Sequence, residues 1–128
     1  MPFDFQNDPG NGARTNYLAG LSAEKTVEDL YCRRGARLRD ARWRGRCGEI
    51  DLIFSEGDTI VFVEVKKSRT HARAAERVSP RQMARILRSA EDYLGSCPNG
   101  LLSDARLDVA LVDASGVVDI IENANMAA

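Results

Sequence analysis

Four side chains in a short stretch carry the chemistry open to this sequence. Glu49 and Asp51 lie in Gly48-Glu49-Ile50-Asp51-Leu52-Ile53-Phe54, while Glu64 and Lys66 close the run Thr59-Ile60-Val61-Phe62-Val63-Glu64-Val65-Lys66. Residues two apart on a strand share a face, so Glu64 sits beside Lys66 and Glu49 beside Asp51. Charges at the end of an apolar strand are costly unless paired or bound to a cation. One carboxylate from each of two neighbouring strands can hold a hard divalent cation, with the backbone carbonyl of Val65 as a third oxygen. Mg²⁺ takes oxygen ligands at about 2.0–2.1 Å and keeps several waters, so two or three protein ligands suffice; Mn²⁺ suits the same donors. Lys66, roughly 6.6 Å beyond Glu64 along the strand, would orient a water or steady developing negative charge. The competing reading is a Glu–Lys pair closing a strand end, with Asp51 as a turn residue.

These residues need a hairpin to meet. Two β-type apolar runs flank Ser55-Glu56-Gly57-Asp58, whose Gly-Asp signal predicts a turn. Pairing Phe54 with Ile60 sets Asp51 opposite Val63; a shift of one residue sets it opposite Glu64. Upstream, Ser22 is placed to cap a helix from Ala23 to Arg34, with Ala23, Val27, Leu30 and Tyr31 at helical spacing and Gly35 as its stop. Glu24 falls near the edge of the buried face. Residues 36–46 read as an irregular strand bearing Arg37, Arg39, Arg42, Arg44 and Arg46 around Leu38 and Trp43; Trp43 is either core or a platform for a base. Downstream, residues 67–79 lose their pattern, and His71 on that stretch reads as solvated rather than as a general base. Ser79-Pro80-Arg81-Gln82 is a helix start, with Gln82 closing a capping box. Met83, Ile86, Leu87, Ala90 and Leu94 form that helix's apolar stripe. Arg81, Arg85 and Arg88 share its other face, either as phosphate contacts or as a solubilising surface. Strands at 107–112 and 117–121 follow, with Asp108 expected to face outward or cap a strand edge. The order α, β, β, β, α, β, β predicts an α/β fold: a mixed central β-sheet flanked by helices, because a strand–helix–strand crossover favours parallel pairing.

Gly48-Glu49-Ile50-Asp51-Leu52-Ile53 followed by Phe62-Val63-Glu64-Val65-Lys66 resembles the small bacterial YraN family, which in turn resembles the PD-(D/E)XK nucleases, particularly archaeal Holliday-junction resolvases. The resemblance covers roughly residues 20–123. It implies a restriction-endonuclease-like fold and a Mg²⁺- or Mn²⁺-dependent phosphodiesterase acting on DNA, with branched or single-stranded DNA among the expected substrates. Asp51, Glu64 and the Val65 carbonyl would take the metal, Lys66 would assist a water, and Glu24 would be an outer acidic residue. Arg44, Arg46, Arg69, Arg81 and Arg85 would contact nucleic acid, and Gln82 matches a polar position in the family's helix after the motif, its competing role being the capping box. The chain departs from the family in having Ala23 where Gly usually precedes the Glu, Arg42 where Asn is common, and Ser68, followed by Arg69, where an Arg usually stands. A DNA-binding module of the same fold without the chemistry is the alternative, and an adaptor that binds a protein through its acidic regions is a third reading. Two-fold symmetric junction substrates would suit a homodimer.

The 128 residues fit a single domain, expected at 20–123 between a mobile N-terminal tail at 1–19 and a short C-terminal tail at 124–128. Net charge is −1, but residues 33–88 hold 15 Lys or Arg against 7 Asp or Glu. A basic middle within a neutral whole suits a polyanion, although an internally complementary surface gives the same count. Cys32, Cys47 and Cys97 have neither zinc nor disulfide spacing, and no apolar run is long enough to span a membrane. No signal peptide is evident, so a cytoplasmic protein is expected.

Overall fold

The apolar runs assemble into one five-stranded sheet in the order β1-β2-β3-β4-β5. The computed structural model describes residues 12–100 and 104–124: α1 (Gly12–Arg33), β1 (Arg37–Gly45), β2 (Gly48–Glu56), β3 (Thr59–Lys67), α2 (His71–Glu76), α3 (Pro80–Leu94), β4 (Ala105–Val112) and β5 (Val118–Ile121). β1, β2 and β3 form an antiparallel meander; β4 pairs parallel to β3 and β5 antiparallel to β4. The α2–α3 crossover makes the parallel pairing possible. This is the mixed α/β sheet that the order of elements predicts.

α1 starts at Gly12, well before the expected start at Ala23. Ser22 is therefore inside the helix, where its carbonyl accepts the Thr26 hydroxyl at 3.0 Å. No proline follows Pro9 in this region, and Gly20 alone weakens a helix by about 1 kcal/mol without ending it. Residues 1–11 of the expected tail and 125–128 lie outside the described residues. At the other end Gly35, at φ 94°, reverses the chain, while the Gly35 and Ala36 amides bond back to Cys32 and Tyr31. α2 was not evident from periodicity because only Ala74 of its six residues is buried; the Thr70 cap, accepting from the Arg73 amide at 3.1 Å, was its local signal.

The helices cover opposite faces of the sheet. Ala23, Val27 and Tyr31 of α1 pack on Leu52, Phe54, Val61, Val63, Ala110 and Val112. Ile86, Ala90, Tyr93 and Leu94 of α3 pack on Ile50, Ile53, Ile60, Phe62 and Leu107. β2 and β3 are thus buried on both sides, which is why they read as near-continuous apolar runs. Trp43 resolves to core: it meets Tyr93 edge-on with ring centroids 5.3 Å apart.

Asp108 corrects the outward placement expected of it. It is fully buried on the α1 face, where it accepts from the Tyr31 hydroxyl at 2.6 Å, Arg106 Nε at 3.1 Å and the Asn123 amide at 3.1 Å. Arg106 also reaches Glu56 at 2.8 Å. Burial, then the bond to Asp108, push the Tyr31 hydroxyl far above its ordinary pKa. This network ties α1 to β4, a polar buried site with its partners supplied.

Candidate active site at the fork of the sheet

The β2–β3 ladder pairs Glu56 with Thr59, Ser55 with Ile60 and so on to Leu52 with Val63, and there it stops. Both strands continue, β2 back to Gly48 along β1 and β3 on to Lys67 along β4. The sheet therefore forks beyond Leu52–Val63. The next two residues at the crotch of the fork are Asp51 and Glu64, the pairing reached by the one-residue shift of the expected register.

Asp51 bridges the gap. Its Oδ2 accepts the Val65 amide at 2.8 Å, in place of the ladder bond that the splayed strands do not make. Within a strand the N–H and C=O of one residue face the same neighbour, so the Val65 carbonyl faces this side as well. Leu52, Ile53 and Phe54 alternate between the α1 and α3 cores, yet Ile50 and Ile53, three apart, both belong to the α3 core. The alternation slips at Asp51, which frees its side chain from either core. Across the ladder, between Ala41–Leu52 and Trp43–Ile50, stands Arg42 at φ 56°, an uncommon backbone for a residue other than glycine.

Glu64 lies on the α3 face, 6% exposed. Its Oε2 receives Gln82 Nε2 at 3.0 Å and Lys66 Nζ at 3.2 Å, while Oε1 is buried with no hydrogen-bond partner. Burial first, and then the charge of Asp51, raise the Glu64 carboxyl to about 8 against the pull of Lys66. Two carboxylates this close favour a shared proton or a shared cation. Glu24, half-buried on α1, belongs to the same neighbourhood. Burial, then Asp51 and to a lesser extent Glu49, raise it to about 7 against the pull of Arg42. Among the described residues no group of three or more His, Cys, Asp or Glu is gathered closely enough to hold a metal by side chains alone. The oxygens that a cation here would meet are those of the Asp51–Glu64 pair and the Val65 carbonyl.

α3 sets the other wall. Ser79 caps it by accepting the Gln82 amide at 3.1 Å, which leaves the Gln82 side chain to reach Glu64 instead of closing a capping box. Ser89 donates to the Gly48 carbonyl at 3.0 Å and so fixes the start of β2. Ser79, Arg81, Gln82 and Arg85 line a hollow of about 280 Å³ beside Glu64, with Arg81 and Arg85 exposed. Of the other expected contacts, Arg44 and Arg69 are exposed. Arg46 is engaged elsewhere, clamping Asp92 of α3 through Nη2 at 2.7 Å and its amide at 3.1 Å. His71 links α2 to the β4–β5 connection, Nε2 to the Val117 carbonyl at 2.8 Å. The three cysteines are free thiols. Sequence reasoning missed Arg42's backbone and the Asp108 network. It had marked Gln82 as a polar position of the family's helix, and the link to Glu64 selects that role over the cap.

Fold and site define an α/β protein whose forked mixed sheet presents a carboxylate pair with an adjacent lysine. The chain belongs to the uncharacterised protein family UPF0102, which matches residues 23–112. It is 55% identical over 109 residues to a UPF0102 protein of Ruegeria pomeroyi, covering 85% of this chain and 89% of the relative. It is 53% identical to one of Cereibacter sphaeroides (85% and 93% covered) and 50% identical to one of Roseobacter denitrificans (89% and 88% covered). Among the described residues no helix is long and apolar enough to cross a membrane.

Proposed function

We propose that this protein is a divalent-metal-dependent phosphodiesterase acting on DNA, with Asp51, Glu64 and the Val65 carbonyl as the ligands of Mg²⁺ or Mn²⁺. The observation that carries this reading is the buried, partnerless Oε1 of Glu64 beside the Asp51 carboxylate. A structural acid has its oxygens satisfied; this one is left with a lone oxygen and a second carboxylate as neighbour, the surroundings a hard cation would neutralise. When bound, such a cation would polarise the phosphoryl group and acidify a water.

The chain's own groups have separate tasks. Gln82 holds Oε2 of Glu64 and so fixes which oxygen is offered. Lys66, 11% exposed and 3.2 Å from Glu64, opposes the rise in that carboxyl's pKa and places its ammonium at the strand end where the phosphate's charge would develop. Glu24, whose pKa of about 7 keeps it close to half-protonated near neutral pH, serves as an outer acid or water-holder. Arg81 and Arg85 flank the approach with exposed guanidinium groups suited to phosphates. The Arg46 clamp on Asp92 gives that residue a positioning role between the β1–β2 turn and α3.

The test is Asp51→Asn, which keeps an oxygen to accept the Val65 amide and removes the charge. It should abolish metal-dependent cleavage of duplex, branched and single-stranded DNA while the protein stays folded; undiminished cleavage would refute the site. One observation favours the alternative of a binding module without chemistry: among the described residues no third side-chain donor joins the pair. Calorimetric titration with Mg²⁺ separates the two, since a module would bind DNA with the metal neither taken up nor needed.

A further inference from the structure

Arg42 is set into the middle of β1 in a conformation that side-chain-bearing residues avoid. At φ 56° it interrupts an otherwise extended strand, although neighbouring pairs Ala41–Leu52 and Trp43–Ile50 keep the ladder in register on both sides. The register puts it directly across from Asp51. Its side chain is exposed, and its charge is felt by Glu24 of α1 in the opposite sense to Asp51 and Glu49. A guanidinium, two acids and the fork of the sheet thus come to one place from three elements. Strained backbone of this kind persists where the surroundings impose it, and it concentrates at working sites.

We propose that Arg42 is a substrate-binding residue of this site, holding a phosphate oxygen of the nucleic-acid strand opposite the Asp51–Glu64 pair. The assignment rests on the phosphodiester reading above. The left-handed backbone interrupts the normal alternation of β1 at Arg42, across from Asp51 and within reach of the charge on Glu24 of α1. Arg81 and Arg85 stand on the α3 side of Glu64, and Arg42 supplies the cation on the β1 side. A phosphate there would be met from both flanks. The planar fork of a guanidinium suits two phosphate oxygens, which an ammonium cannot span. The competing role is a counter-charge that merely steadies Glu24 and Asp51.

Arg42→Asn and Arg42→Lys separate the two roles. Asn tolerates the left-handed backbone, so under the proposal it keeps or raises the melting temperature without metal. On fluorescent duplex DNA with Mg²⁺ it should raise KM about tenfold, leave kcat within a few-fold, and lower the slope of log affinity against log salt by about one. Arg42→Lys should recover part of the KM and the whole salt slope. Calorimetry with Mg²⁺ alone should show affinity unchanged or tighter for Arg42→Asn, because a cation has left the site. An Arg42→Asn protein with wild-type KM and salt slope overturns the assignment, as does one whose KM loss is matched by an equal loss of Mg²⁺ affinity. If the wild type neither binds nor cleaves DNA, the phosphodiester reading falls first and Arg42's role with it; if the wild type cleaves and Arg42→Asn cleaves equally well, Arg42 alone is wrong.

Discussion

Two buried acids sit on adjacent strands of this sheet and have opposite fates. Asp108 of β4 is paired with Val63 and turned toward α1; Glu64, the next residue along β3, is turned toward α3. Asp108 receives a hydroxyl, a guanidinium and a backbone amide. Glu64 keeps one oxygen without a donor and faces another carboxylate. Burial alone therefore does not mark a working acid. The distinction lies in whether the protein completes the acid's hydrogen bonds or leaves them for something else.

Four substitutions or titrations would break or sharpen that contrast. The largest effect is on chemistry: a bound metal supplies several kcal/mol to a phosphoryl transition state, so Asp51→Asn should cut the cleavage rate roughly a thousandfold or more at about 1.4 kcal/mol per factor of ten. Single-turnover kinetics would measure it, and urea denaturation should show no loss of stability. Asp108→Ala should do the reverse. Removing it leaves the buried Tyr31 hydroxyl and the Asn123 amide without their acceptor, while Arg106 keeps Glu56, at a cost of about 1–3 kcal/mol in unfolding free energy, and any cleavage by the folded fraction persists.

The third is a pH dependence. Glu64's folded pKa of about 8 lies above its ordinary 4.5, so between those values the folded state holds a proton that the unfolded chain releases. Stability without metal should be greatest below about pH 4.5 and decline as pH rises toward 8, with Glu24 adding to the slope up to about 7. Glu64→Gln should flatten most of the decline, and Mg²⁺ should flatten it in the wild type but not in Glu64→Gln. Thermal melts across that range decide it; a stability that climbs from pH 5 to 8 without metal contradicts the picture. The smallest effect belongs to Lys66→Met, which removes one charge-assisted contact at near-constant volume. A loss of about 1 kcal/mol is expected at pH 8, shrinking at pH 5 where Glu64 takes up a proton.

The contrast also shows what could be read in advance. Asp51, Glu64 and Lys66 announced themselves because charges interrupt apolar strands, and Ser55-Glu56-Gly57-Asp58 narrowed the register to two choices. Gln82 stood between two roles until the cap proved complete through its backbone amide alone. Asp108 was unreadable for the converse reason: Arg106 stands two residues away on the same strand, but Tyr31 and Asn123 come from distant parts of the chain with no local pattern linking them. Likewise Arg46, just past β1, looked like the arginines of that strand until α3 brought Asp92 to it. Arg42's left-handed backbone was equally hidden, because arginine is not among the residues enriched in that region and nothing local demands it.

The strands lie side by side in the order in which they are made. The three-strand meander closes through short turns, whereas β4 reaches β3 only after residues 68–104 have been laid down. Nearby pairings form ahead of distant ones because less chain entropy is lost in closing them. Asp51 and Glu64 are therefore brought together by the early hairpin, and Asp108 meets Tyr31 late. Until β4 arrives, β3 presents a bare apolar edge, the interval in which a nascent chain is most open to pairing with another copy of itself. In a chevron experiment Asp108→Asn should accordingly speed unfolding while barely slowing folding, and a substitution in the β2–β3 turn should slow folding.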